Sequence, residues 1–187
     1  PADKFRAEDG QATDPKQVDE ALATGKYDLV TVTHNETSVG IMNPIKEIAE
    51  VVKKYPDVVF CVDTVSSMGG TSIPVDELGI DFCITSTQKC LGCPPGMSVA
   101  SVSKKAYERA KTVPNRGLYL DIVEIYDKVV KDDKYQYPST PSESHMFALQ
   151  EELTYMLEEE GLENRYARHL EMAEYIRAWA RKYFAIF

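Results

Sequence analysis

Lys89 stands in STQKCLGCPPG (residues 86–96), just past an apolar run and ahead of a loop of Gly, Cys and Pro. A lysine on such a loop is ordinarily a solvated charge. Two further polar signatures change its meaning: HNETS at 34–38, which holds Thr37, and DTVSS at 63–67, which opens with Asp63. Each of the three follows a short run with strand character. Ligands of open α/β sheets bind outside the carboxyl ends of the strands, so Thr37, Asp63 and Lys89 are expected to converge on one pocket. A carboxylate there needs a positive partner or strong donors. Two chemistries meet that need. One is a plain ion pair between Asp63 and Lys89. The other is a cofactor with a basic ring nitrogen and an aldehyde, where the carboxylate keeps the nitrogen protonated. The lysine, its pKa lowered in a dry pocket, then forms the Schiff base. That second chemistry is the chemistry of pyridoxal 5′-phosphate.

The elements that must position these groups can be read from local pattern. DPKQVDEAL (14–22) places Asp14 as an N-cap with Pro15 in the first turn. YDLVTVTH (27–34) is a β-branched run of strand length. In NPIKEIAEVVKKY, Asn43 is the expected cap, Pro44 opens the helix, and Ile45, Ile48, Ala49 and Val52 recur at helical spacing. DVVFCVD (57–63) reads as a parallel strand covered on both faces. A turn of helix at 74–79 then leads to IDFCITS (80–86), and GMSVASVS (96–103) is a fourth strand, either a neighbour or an antiparallel edge. The alternation predicts an α/β fold with a mostly parallel sheet and flanking helices. From Lys104 on the chain turns helical. Met146, Leu149, Leu153 and Met156 or Leu157 are expected on one apolar face, closed by Gly161. Leu162, Tyr166, Leu170, Ala173, Ile176 and Ala180 are expected on another.

Composition narrows the function classes. The 187 residues can bury an ordinary single core. A net charge of −9 and a pI near 4.9 disfavour a nucleic-acid backbone or an anionic membrane as partner. No apolar run reaches the roughly 18 residues of a membrane span, and no signal-peptide pattern opens the chain. Cys61, Cys83, Cys90 and Cys93 read as reduced thiols of a cytoplasmic protein. Cys90 and Cys93 form a C-x-x-C, but no second pair completes a metal site. The chain begins without Met and stops in the apolar AWARKYFAIF, as expected of a fragment of a longer protein.

THNETSVGIMNPI, then VDTVSSMGGTSIPVDELGID, then STQKCLGCPPGMS resembles the class V (fold type I) pyridoxal-phosphate-dependent aminotransferases, closest to the alanine–glyoxylate and serine–glyoxylate group. The resemblance runs from about Tyr27 to Arg177. It implies that Lys89 is the Schiff-base lysine and Asp63 the pyridinium partner, with Thr37 beside the ring's 3′-oxygen and Gln88 against the phosphate. In QYPSTPS it implies that Tyr137 and Thr140 reach the phosphate of a neighbouring subunit, hence a homodimer with shared sites. It further implies residues 1–135 as the C-terminal portion of the cofactor-binding large domain. Residues 136–187 become a connector and long helices leading into a small helical/α+β domain. The implied reaction moves an amino group from a small amino acid, alanine or serine, to a 2-oxo acid such as glyoxylate or pyruvate.

The family's Ser/Gly-rich phosphate cup and ring-stacking aromatic do not precede Tyr27, and its substrate-carboxylate arginine is expected beyond Phe187. The site is therefore expected to be incomplete within this chain. Within the same class a cysteine desulfurase is the rival, though such enzymes tend to carry a His where Gln88 precedes the lysine. An aminoethylphosphonate transaminase is another. A rival of a different kind is a non-catalytic α/β dimerisation module in which Asp63 and Lys89 only pair. Of the remaining groups, His34 is read as a satisfied structural histidine, the EEE run at 158–160 as a solvated helix end, and Gly69-Gly70 as too short for a dinucleotide motif.

Overall fold

The first helix, α1 (Pro15–Ala23), starts where its cap requires: the Asp14 carboxylate accepts the Lys16 N–H at 2.9 Å. The computed structural model describes residues 2–131 and 136–185. After β1 (Leu29–Thr33) the chain makes a small antiparallel hairpin, β2 (Asn35–Glu36) and β3 (Ile41–Met42), that strand-length reasoning does not anticipate. Then come α2 (Ile45–Val52), β4 (Val59–Asp63), α3 (Val75–Leu78), β5 (Phe82–Ser86), β6 (Ser98–Val102) and α4 (Lys104–Lys111). The strand order is β1-β4-β5-β6, with the first three parallel and β6 running antiparallel on the edge.

Asn43 is not the cap of α2. Its side chain instead accepts the Thr13 N–H at 2.8 Å and donates to the Thr33 carbonyl at 2.7 Å, tying the N-terminal segment to the end of β1. Residue 44 occupies the cap position, where a proline ring offers no acceptor.

One face of the sheet carries the core. Val30, Val32, Phe60, Val62 and Cys83 meet Leu22 of α1, Ile45, Ile48, Ala49 and Val52 of α2, and Leu78 of α3. Burying side chains such as Phe60, Ile48 and Val62 contributes roughly 1.5–3 kcal/mol each. The opposite face presents Thr31, Thr33, Cys61, Asp63, Phe82 and Ile84 to a shallow cavity of about 310 Å³. The β4 run is therefore covered on one face by this chain's helices. Asp81 pins the far end of the sheet: 4% exposed, it accepts the Phe60 N–H at 2.9 Å and the Ser103 hydroxyl at 2.6 Å, and pairs with Lys105 at 2.7 Å.

Beyond α5 (Ile122–Tyr126) lie α6 (Glu143–Thr154), a π-helical stretch (Tyr155–Glu160) and the long α7 (Leu162–Tyr183). The domain boundary expected at 135/136 falls beside residues outside the described ones. The two apolar stripes expected here are not buried as stripes. Met156 is buried, whereas Met146, Leu153, Leu157, Leu170 and Ile176 are exposed. The buried side chain of α7 is a charged one, Arg165. No helix among the described residues is long and apolar enough to cross a membrane.

Candidate active site

The parallel register aligns Thr33 with Asp63 and Asp63 with Ile84, so the loops after β1, β4 and β5 leave one edge side by side. Ladder bonds run past the strand ends: His34 N–H donates to the Asp63 carbonyl at 2.8 Å, and Thr64 N–H to the Ile84 carbonyl at 2.8 Å. The β2–β3 hairpin puts Thr37 at its tip, and the Glu36 carboxylate holds that tip by accepting the Ser38 N–H at 2.9 Å and hydroxyl at 2.8 Å.

Ser66 and Ser67, just past Asp63, join the three loops. Thr37 and Ser66 share a hydroxyl bond of 2.6 Å, His34 Nδ1 and Ser67 Oγ lie 2.9 Å apart, and the Cys90 thiol donates to the Ser66 carbonyl at 3.7 Å. The loops bearing Thr37, Asp63 and Lys89 thus leave one edge together, but of the three only Asp63 lines the cavity on that face, and the linking serines emerge only from the fold. Neither serine bonds Asp63. His34 is buried, and burial holds its imidazole below the usual range, as suits a structural histidine.

Asp63 is exposed and bonds locally, its Oδ1 accepting the Val65 N–H at 2.9 Å. Among the described residues it makes no ion pair with Lys89. Lys89 and Gln88 are exposed as well, so the dry pocket expected around the lysine is not built by these residues. The loop that carries them is nonetheless well fixed. Thr87, fully buried, donates its hydroxyl to the Pro94 carbonyl at 2.6 Å, while Cys93 N–H donates to the Thr87 carbonyl and Gly92 N–H to the Lys89 carbonyl, both at 2.9 Å. Helix α6 docks on the same loop through His145 Nε2, 3.0 Å from the Pro95 carbonyl.

One polar group was missed in the sequence. Ser86, 8% exposed, has a buried hydroxyl without a hydrogen-bond partner among the described residues. Strand alternation puts it on the face of Phe82 and Ile84, which is also the face of Asp63. Its signal was a polar residue closing an apolar strand three positions before Lys89. Tyr137 and Thr140 are exposed, and among the described residues no hydrogen bond joins them to Asp63, Lys89 or Thr37. Burial pushes the thiols of Cys90 and Cys93 up, with the charges of Arg165 and Lys89 pulling the Cys90 thiol the other way, which is poor preparation for sulfur chemistry. All four cysteines are free, and no metal-ligating cluster occurs among the described residues.

The comparisons converge with this geometry. An uncharacterised aminotransferase of Methanocaldococcus jannaschii is 48% identical over 173 residues, covering 90% of this chain and 43% of that protein. The alanine–glyoxylate aminotransferase of Oryctolagus cuniculus is 35% identical over 164 residues, covering 86% of this chain and 41% of that protein. In three dimensions, the alanine–glyoxylate aminotransferase of Nostoc sp. superposes with a TM-score of 0.84 at 28% identity, over 92% of this chain and 45% of that one. The chain thus spans less than half the length of the relatives it matches. The sequence pattern of the class-V aminotransferases matches residues 3–182. With three cross-linked loops at one sheet edge and a match over nearly its whole length, the chain belongs to the class-V aminotransferase family.

Proposed function

We propose that the protein is a pyridoxal-phosphate-dependent aminotransferase in which Lys89 holds the cofactor covalently. The observation that carries the reading is the shared edge: Asp63, Thr37 and the Lys89 loop stand together, yet Asp63 and Lys89 are not spent on each other. The donor set fits the cofactor, with a carboxylate for a ring nitrogen, an amine for an aldehyde, and hydroxyl and amide groups for anionic oxygens. The unpartnered Ser86 hydroxyl adds a further donor on that face. When bound, pyridoxal 5′-phosphate supplies the aldehyde and the electron-accepting ring.

Asp63 would keep the ring nitrogen protonated, a charge-assisted contact of roughly 1.5–3 kcal/mol. Thr37 would stand beside the ring's 3′-oxygen and Gln88 against the phosphate, with the unpartnered Ser86 hydroxyl as a further donor on the Asp63 face. Lys89 Nζ, once freed by an incoming amino group, would be the base that takes the proton from the substrate α-carbon and holds it for return. Substrates are a small amino acid, alanine or serine, and a 2-oxo acid such as glyoxylate or pyruvate. We place residues 1–135 in the cofactor-binding domain and 136–187 in the connector and helices that follow. The exposure of Tyr137 and Thr140 is consistent with a homodimer in which they reach the phosphate at the neighbour's site. The four free thiols support a cytoplasmic setting.

The test is borohydride reduction of the protein mixed with pyridoxal phosphate, followed by peptide mass mapping. A single reduced adduct on Lys89, lost in Lys89→Ala, is expected together with a visible absorbance band. Reaction spread over surface lysines and unchanged in Lys89→Ala would refute the assignment.

A further inference from the structure

Arg165 sits on α7, 5% exposed, far in sequence from Lys89, and its guanidinium is spread over four partners. Nε donates to the Gly69 carbonyl at 3.1 Å and Nη2 to the Cys90 carbonyl at 2.7 Å. Its charge is met by Glu152 at 2.9 Å and by Glu160 at 2.8 Å, and Glu160 also pairs with Arg168 at 2.7 Å. The run at 158–160 is therefore not a merely solvated helix end: Glu160 is largely buried and belongs to this network. Hydrogen bonding from Arg168 holds its carboxyl below the usual range, with Arg165 acting in the same direction and burial opposing.

The two carbonyls belong to different loops. Gly69 is in the segment that follows Asp63 and the serines, and Cys90 is the residue after Lys89. One planar fork therefore spans both loops, a geometry that a lysine's single ammonium cannot reproduce. The Lys89 carbonyl is itself fixed by Gly92 N–H at 2.9 Å, so the peptide groups on either side of the Cys90 Cα, Lys89–Cys90 and Cys90–Leu91, are both held. The space beneath is closed too. A Cβ on Gly69, at φ +85°, would lie 3.3 Å from Leu91 Cδ2 and from Met156 Cε, and one on Gly70 would lie 2.8 Å from Cys90 Sγ. Replacing a buried ion network by apolar side chains of similar volume is often neutral or stabilising. Stability alone thus gives a weak account of a buried arginine here, whereas control of one loop's position gives a direct one.

We propose that Arg165 is a positioning residue for the proposed cofactor lysine: bound to the carbonyls of Gly69 and Cys90, it sets the reach of Lys89 relative to Asp63. The inference rests on the reading of Lys89 given above. Arg165 acts through the two loop carbonyls, and α7 reports to the site through it.

The experiment uses the full-length protein loaded with pyridoxal phosphate, as wild type, Arg165→Lys, Arg165→Gln and Arg168→Gln. Three readouts are taken: the rate at which the apo protein forms the borohydride-trappable Lys89 adduct, the pH midpoint of its visible band, and kcat and KM for alanine. Arg165→Lys keeps the charge opposite Glu152 and Glu160 but loses the fork. It is expected to trap at Lys89 with the rate lowered roughly tenfold or more, the midpoint displaced, and kcat reduced more than KM is raised. Arg168→Gln, which meets Glu160 but neither carbonyl, should match wild type in all three. A folded Arg165→Lys with wild-type trapping rate, midpoint and kcat overturns the proposal. Failure of both Arg165 variants to fold assigns the side chain to folding alone and overturns it as well. An absent Lys89 adduct in the wild type is a different result, and it sinks the proposed function itself.

Discussion

Gly70→Ala offers a sharp check on how the lysine loop is packed. Gly70 is not among the residues of positive φ, so alanine's backbone is acceptable there, and the reduced freedom of the unfolded chain favours it by about 0.4–1 kcal/mol. The obstacle is space. The new Cβ would meet Cys90 Sγ at 2.8 Å, His169 Cδ2 at 3.3 Å and Cys90 Cβ at 3.4 Å. Overpacking of this kind typically costs about 1–3 kcal/mol, leaving a net loss of roughly 1–2 kcal/mol. Removing the sulfur removes the worst contact. Cys90→Ala alone, the loss of one half-buried atom, should cost about 1 kcal/mol or less. The double variant should then be more stable than the sum of the single changes by about 1 kcal/mol. Urea unfolding followed by far-ultraviolet circular dichroism, with m held constant across the four proteins, measures this cycle. Additivity within about 0.5 kcal/mol, or a Gly70→Ala protein as stable as wild type, would refute the claim that Gly70 exists to admit the Lys89–Cys90 loop.

Three further outcomes follow from the geometry. Asp81→Ala strips the acceptor from the buried Phe60 N–H and the partner from the 40%-exposed Lys105, so a loss of roughly 2–4 kcal/mol is expected, and less for Asp81→Asn; a urea-measured loss under about 1 kcal/mol would contradict it. Burial, with the Asp81 charge adding to it, pushes the Cys61 thiol up to about 11, leaving about one thiol in a thousand ionised at pH 8. Iodoacetamide should therefore label Cys61 far more slowly in the native protein than in urea, and equal rates would rule this out. Acid stability should fall in two stages. Because burial lowers the His34 pKa, the unfolded chain takes up a proton near pH 6.5 that the folded protein refuses, so stability declines as pH drops from 6.5 towards the folded value. The lowered Glu160 contributes fully above about 4.5 and is lost as pH falls through its folded value. Urea midpoints between pH 7.5 and 3.5 read both stages. A first stage that persists unchanged in His34→Gln would exclude His34 as its source.

The elements bearing the site were legible because their causes are local. Asp14 and Pro15 start a helix within one turn of themselves, and the β-branched runs ending at Thr33, Asp63 and Ser86 announce strands by composition. A parallel α/β sheet then brings polar residues at strand ends to one edge, which is why Thr37, Asp63 and Lys89 could be grouped before any coordinates. Asn43 shows where local rules fail. Its position and type suit a cap, but a carbonyl ten residues back and an N–H thirty residues back take its side chain.

By itself, then, the sequence determined the α/β class, the start of α1, the strand ends and the three polar loops that follow β1, β4 and β5, since these depend on neighbours within a few positions. Tertiary structure alone decided that Ser66 and Ser67 join the loops, that β6 runs antiparallel, and that Gly70 lies close against Cys90. It also decided that the buried residue of α7 is Arg165 and not an apolar stripe. The contacts responsible span 75 and 96 positions of chain, from Arg165 to Cys90 and to Gly69. Hydrophobic periodicity reports which face of a helix is apolar, but whether a guanidinium finds two carbonyls and two carboxylates depends on where other segments come to rest.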